Sequence, residues 1–258
     1  MLAADTLSSR IALVTGGGTG LGRELALELG RLGAAVAVCG RRREPLDETV
    51  SLLGERAFAV QCDVREPEQV AAAFDAAEEA LGPVTTLVNN AAGNFVVQAE
   101  DLSPNGWRAV VGIVLDGTFF CSRELARRLI ARGAGGEILN LVATYAWTGG
   151  PGTVHSAAAK AGVVNLTRTL AVEWARHGIR VNALAPGPVD TPQAAEKLWP
   201  TEEIREALLS KIPLRRFGQA EDVTHAASFL LSDYAAYVTG EVLTVDGGAW
   251  LEKGMFGS

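Results

Sequence analysis

The sequence predicts an α/β fold: one doubly wound domain over residues 1–258, built on a seven-stranded parallel sheet with helices on both faces. Three observations carry this. Short β-branched apolar runs alternate with longer stretches of helical period, the pattern of successive βαβ units. The first apolar run leads into a glycine-rich loop, Gly16-Gly17-Gly18-Thr19-Gly20-Leu21-Gly22, and then an amphipathic stretch. A chain of 258 residues, 48% hydrophobic, is long enough to bury one large core.

The elements follow in order. Strand Ile11–Thr15 precedes the glycine loop, and helix Leu21–Leu32 stops at Gly33. Strand Ala35–Cys39 is followed by helix Pro45–Leu53, and strand Ala57–Gln61 by helix Pro67–Leu81, with Pro67 in its first turn and Gly82 after it. Strand Thr86–Asn89 comes next, then a long helix Pro104–Ala131, which opens on a proline and closes at Gly133. Strand Glu137–Val142 leads to helix Val154–Arg176, ending near Gly178. Strand Arg180–Ala185, helix Ala220–Leu231 and strand Glu241–Val245 complete the set. The segment from Gly187 to Phe217 breaks the alternation and is rich in proline and charge. A compact domain seldom keeps so long an insert without use, so residues 187–217 are expected to form a partly helical lid over a pocket.

Composition excludes several classes. A net charge of −7 gives no basic face for a nucleic-acid backbone. No apolar run approaches the ~20 residues of a membrane span. The first ten residues lack the apolar core of a signal peptide and the Arg-rich character of a transit peptide, and the final residues are no peroxisomal tripeptide. A cytoplasmic location is expected. Cys39, Cys62 and Cys121 lack metal-site spacing and are odd in number, so reduced structural thiols are expected and no metal.

The glycine loop between strand and helix lets the backbone approach a pyrophosphate, whose charge meets the amides at the helix start. Gly16, Thr19, Gly20 and Leu21 are its candidate contacts, in what reads as a Rossmann fold. An acid at the end of the second strand would accept from a ribose 2′-hydroxyl. This chain has Gly40-Arg41-Arg42-Arg43 instead, and Arg41 with Arg42 favours the 2′-phosphate of NADP(H).

The spacing Thr15-Gly16-x-x-x-Gly20-x-Gly22 resembles the short-chain dehydrogenase/reductase family. So do Asp63-Val64, Asn90-Ala91 within Asn89–Gly93, Pro186-Gly187-Pro188-Val189, and Val245-Asp246-Gly247-Gly248. The resemblance implies that Asp63 and Val64 lie at the adenine, Asn90 and Ala91 against the cofactor, and Pro186, Gly187 and Val189 beside the nicotinamide. Lys160 matches the family's active-site lysine, which serves the cofactor ribose. The family's tyrosine, four residues before that lysine, is here Ser156, and its earlier serine is Ala143. Both hydroxyls that act on a carbonyl are absent, and a displaced Tyr145 stands fifteen residues before Lys160. Asp116 occupies a position where many members have asparagine, which puts a proton chain through it in doubt. His155 reads as a structural histidine or a proton relay.

Asn90–Phe95, the displaced Tyr145, Ser156 before Lys160, Leu102–Asn105 and Ala157–Gly162 resemble the NADPH-dependent 2,4-dienoyl-CoA reductases within that family. This implies an acyl-CoA substrate, with Asn94 and Tyr145 holding the thioester oxygen and Ser156 with Lys160 supporting cofactor and proton delivery. It also implies a homotetramer built on the two long helices. A carbonyl or alcohol oxidoreductase that uses Tyr145 from its unusual position, and a non-catalytic NADPH-binding protein, are the alternatives.

Overall fold

A computed structural model describes residues 2–190 and 201–251. Seven strands, β1 (Ile11–Thr15), β2 (Ala35–Gly40), β3 (Ala57–Gln61), β4 (Thr86–Asn89), β5 (Gly136–Leu141), β6 (Ile179–Pro186) and β7 (Val242–Val245), form one sheet in the order β3-β2-β1-β4-β5-β6-β7. Every pairing is parallel. Because helices cover both faces, the central strands are continuous apolar runs, and Ala12–Val14, Val36–Val38 and Leu139 are each at most 1% exposed. The strand order reverses between β1 and β4, and a crevice opens there beyond the carboxyl ends.

Helices α1 (Gly20–Arg31), α2 (Arg43–Leu53), α3 (Pro67–Leu81), α4 (Pro104–Val111), α5 (Gly117–Arg132), α6 (Tyr145–Thr148), α7 (Val154–Trp174), α8 (Glu202–Leu209) and α9 (Ala220–Leu231) join them. Ser103 caps α4 by accepting from Gly106 N at 3.0 Å, with Pro104 in the first turn. Gly133 ends α5 in the left-handed conformation (φ 64°) that lets Ala134 N reach back to Leu129 O at 3.0 Å.

The single helix expected over Pro104–Ala131 carries a π turn at Gly112–Asp116. Its cause is close approach on both sides: a Cβ on Gly117 would stand 2.6 Å from Val64 Cγ2, and one on Gly162 of α7 would stand 3.0 Å from Leu115 Cδ1. The widened turn lets one helix pass both neighbours. Helix α6 was not anticipated, since four residues show no period.

A buried polar chain ties these layers together. Asn89 Nδ2 of β4 donates to Ser122 Oγ and to Asn140 Oδ1, both at 2.9 Å, and Asn140 Nδ2 of β5 donates to Thr167 Oγ1 of α7 at 2.9 Å. Every member is satisfied, so the chain fixes α5 and α7 against the sheet at one register. The three cysteines are free and buried. Among the described residues, no helix is long and apolar enough to cross a membrane.

Candidate active site

A cleft of about 570 Å³ opens at the carboxyl ends of β1 to β4. Of the cofactor residues read from the sequence, Gly16, Thr19, Leu21, Arg41, Arg42, Asp63, Val64, Asn90 and Ala91 line it; Pro45, Leu46, Cys62 and Ile113 also line it and carried no sequence signal. Gly20 sits within the loop with φ 54°. Pro186, Gly187 and Val189 stand outside that lining: Gly187 N bonds Val245 O at 2.9 Å and Val189 bridges to Gly218, which holds them on the β7 side of the same edge.

The glycine loop is fastened on two sides. Thr15 Oγ1 accepts from both Asn90 N and Ala91 N at 3.0 Å, and Asn90 Nδ2 donates to Thr15 O at 3.1 Å. Arg23 Nη2 donates to Gly18 O at 2.7 Å, and the buried Thr49 hydroxyl donates to Gly17 O at 3.0 Å. A Cβ on Gly22 would lie 2.2 Å from Gly16 O, so only glycine lets α1 start so close to the loop. Thr19, the N-cap of α1, makes no side-chain cap, which leaves the first amides of that helix for an anion. This cradle fits the pyrophosphate of a nicotinamide dinucleotide. Arg41 and Arg42 are exposed on the turn after β2, and Gln61 Nε2 fixes that turn by donating to Arg41 O at 2.7 Å. Asp63 accepts from Arg65 at 2.5 Å, and that guanidinium holds its carboxyl below the usual range.

Three of the four candidate catalytic residues, Tyr145, Ser156 and Lys160, gather where α6 folds back on α7. Tyr145 Oη and Ser156 Oγ are 3.1 Å apart. Ser156 is 1% exposed and Lys160 7%, one helical turn apart on the same face. Lys160 Nζ donates to Leu141 O at the end of β5, and burial holds its pKa down to about 8. Asn94 lies exposed in the segment after β4, its Oδ1 accepting from Phe95 N at 3.0 Å; the structure does not bond it to Tyr145. That segment is pinned to the loop before α7 by Val97 N donating to Gly152 O at 2.9 Å. Asp116 is exposed at the end of the π turn, and His155 is fully buried beside Phe95.

The expected lid is described in part. Its sequence offers Leu198, Trp199 and Ile204 for apolar contact and Lys211, Arg215 and Arg216 for CoA phosphates. Leu198 and Trp199 fall outside the described residues, and α8 carries the exposed Ile204. Arg205 of α8 pairs with Asp190 at 3.1 Å and stacks over the Phe217 ring at 4.7 Å, which ties the two flanks of the segment together. Arg216 is bound to Asp222 at 2.5 Å, and Arg215 Nη1 donates to Ser210 O at 2.7 Å, so both guanidinium groups are engaged within the protein. Among the described residues, no group of three or more His, Cys, Asp or Glu side chains could hold a metal.

Fold and cleft together define an oxidoreductase that binds a nicotinamide cofactor. Residues 16–249 match the family model described as "Enoyl-(Acyl carrier protein) reductase", and the chain belongs to the short-chain dehydrogenase/reductase family. It is 47% identical over 249 residues to a Bacillus subtilis (strain 168) protein named "Probable 2,4-dienoyl-CoA reductase", (2E)-enoyl-CoA-producing, covering 95% of this chain and 98% of that one. It is 41% identical to a peroxisomal 2,4-dienoyl-CoA reductase of Arabidopsis thaliana, (3E)-enoyl-CoA-producing, over 96% of this chain and 87% of the relative. A solved short-chain dehydrogenase of Bacillus anthracis superposes with TM-score 0.87 at 42% identity, covering 94% and 97% of the two chains. A solved structure from Agrobacterium tumefaciens with bound NADP superposes with TM-score 0.88 at 37% identity, covering 97% and 99%.

Proposed function

We propose that the protein reduces 2,4-dienoyl-CoA thioesters to enoyl-CoA with NADPH. The observation that carries this is the Tyr145–Ser156 pair at 3.1 Å, with Ser156 one turn from the buried Lys160 and no hydroxyl at Ala143. The names of the two dienoyl-CoA reductase relatives support the substrate class, and Arg41 with Arg42 at the cleft supports NADPH.

The chemistry accounts for the displaced phenol. Bound NADPH supplies the hydride, which this reaction needs at the far end of the conjugated system. Negative charge then develops on the thioester oxygen, several bonds away, so the donors that meet it must be shifted along the substrate. Tyr145 stands on α6 rather than α7, which makes that shift. Either hydroxyl can donate across the 3.1 Å Tyr145–Ser156 pair. On this reading Ser156 Oγ donates to Tyr145 Oη when substrate is bound, which leaves the phenol proton to donate to the thioester oxygen. Asn94 is the second donor: its Oδ1 is occupied by Phe95 N, and its amide hydrogens remain for the same oxygen. Lys160 remains protonated below pH about 8 and steadies the cofactor ribose beside Ser156. The dienolate carbon then takes a proton from Tyr145 or from water to give the enoyl thioester.

On this reading the described part of the expected lid, residues 201–217, serves the acyl-CoA, with the exposed Ile204 available for apolar contact. A homotetramer built on α4–α5 and α7 is supported by Phe119 and Val172, which leave apolar surface on those helices, Val172 at 80% exposure. The test is NADPH oxidation against a panel of 2,4-dienoyl-CoA, 2-enoyl-CoA and 3-ketoacyl-CoA thioesters. Turnover confined to the dienoyl compounds is expected; preference for the 3-ketoacyl compounds would return the chain to carbonyl reduction.

A further inference from the structure

His155 is 0% exposed, and neither ring nitrogen meets a hydrogen-bond partner. Among the described residues, only Arg10 Nε and Ser228 Oγ share that condition, and Arg10 is otherwise satisfied by Glu137 and Asp233. Burial lowers the imidazole's pKa, so the ring is neutral, with one donor and one acceptor nitrogen unused. A leucine or phenylalanine would fill the same space without burying unpaired polar atoms. A polar ring kept here therefore answers to something other than folding.

Its surroundings say what. The ring lies 4.5 Å from that of Phe95, tilted by 59°. The far edge of Phe95 abuts α4, where a Cβ on Gly106 would stand 3.0 Å from Phe95 Cζ. Phe95 is thus held between α4 and the first turn of α7, and it carries Asn94 directly before it. On its other side His155 adjoins Ser156, the partner of Tyr145. One residue therefore packs on the chain neighbour of Asn94 and directly precedes the partner of Tyr145. Within the segment, Phe95 N is bound to Asn94 Oδ1 and Val97 N to Gly152 O. The Val96 amide and the segment's carbonyls are the groups a neutral imidazole can meet, as acceptor and donor respectively.

We propose that His155 is the positioning residue for Asn94: its ring shelves Phe95, and its two unused nitrogens bond the Asn94–Val97 segment when that segment closes on an acyl thioester. This rests on the dienoyl-CoA reading of the site. It places His155 behind the donors, with no contact to the reacting atoms.

The test uses His155→Phe, which keeps a ring under Phe95 and removes both nitrogens, and His155→Leu as a second variant should the larger ring not be accommodated. Either variant should melt at or above the wild-type temperature and bind NADPH within about twofold of it. Its kcat for a dienoyl-CoA should fall by about ten- to a hundredfold with KM little changed, the scale of a displaced rather than deleted donor. Added to Asn94→Ala, it should cost nothing further. Hydrogen exchange of the 94–97 backbone, measured with NADP⁺ and a dienoyl-CoA (a pair that cannot react), should slow in the wild type and not in His155→Phe. Wild-type kcat in a folded His155→Phe protein, or losses that multiply with those of Asn94→Ala, would overturn the proposal. If the wild type reduces no dienoyl-CoA, the functional reading falls by itself. Exchange in the free protein then still decides the shelf: faster exchange at 94–97 in His155→Leu upholds it, and unchanged exchange refutes it.

Discussion

Replacing Lys160 with methionine should make the protein more stable at neutral pH while weakening its use of cofactor. The lysine is 7% exposed, and burial depresses its pKa from 10.5 to about 8. Each tenfold change in proton affinity is worth about 1.4 kcal/mol, so keeping the ammonium charged inside the fold costs about 3 kcal/mol. The sign follows from proton counting. Between about 8 and 10.5 the unfolded chain holds this proton and the folded chain has released it, so stability rises with pH through that window. Below the window both states are protonated and the cost is fully present; above it, the cost is gone. Methionine keeps the length and the packing but loses the charge-assisted bond to Leu141 O, about 2 kcal/mol. The variant should therefore gain about 1 kcal/mol at pH 7, and the difference should swing toward the wild type by about 3 kcal/mol on reaching pH 10.5. Urea denaturation of both proteins across that range measures it, since all other titrating groups cancel in the difference. A variant less stable than wild type at pH 7, or a difference that stays constant with pH, would show that the site does not desolvate the ammonium. The accompanying loss of NADPH affinity would identify the buried charge as kept for ligand binding at the expense of stability.

Two further outcomes bear on the site. Tyr145→Phe should lower kcat and kcat/KM for a dienoyl-CoA together by about a hundredfold, with NADPH affinity unchanged, because the phenol's bond strengthens mainly in the transition state; near-normal turnover would remove Tyr145 from the mechanism. The Arg41→Ala, Arg42→Ala double variant should weaken NADPH by about ten- to a hundredfold and leave NADH unaffected, the worth of one or two charge-assisted bonds to a 2′-phosphate. An unchanged ratio of the two dissociation constants, by fluorescence titration, would mean that these arginines are merely solvated.

How far the sequence carries can be seen element by element. The strands were legible because both faces of the sheet are buried, which turns each one into a short apolar run set off by turn residues. The glycine loop was legible because its constraint is local: Gly22 approaches Gly16 O, six residues away. The π turn at Gly112–Asp116 was not, since it answers to Val64 and Leu115 pressing on Gly117 and Gly162, contacts that exist only after the sheet has formed. The polar chain from Asn89 through Asn140 to Thr167 was equally invisible, because each residue alone reads as a strand end or a helix polar group.

The same division runs through the site. Lys160 and Ser156 could be placed on one helical face from spacing alone, whereas the bond from Ser156 to Tyr145 depends on α6, a turn too short to leave a pattern, folding back over the start of α7. His155 lies further still from sequence reasoning: its neighbours in the chain say nothing of Phe95, and only the packed structure shows an imidazole sealed from water with both nitrogens unused. These facts share one physical origin. The polar chain fixes α7 to the sheet by side chains on the sheet-facing side of the helix, so the residues of its first turn are free to serve α6 and the Asn94 segment without loosening the scaffold. On a helix held at Thr167, Ser156 stands where the family's tyrosine would be and pairs with a phenol on the neighbouring turn, and it is this pairing that the proposed reduction uses.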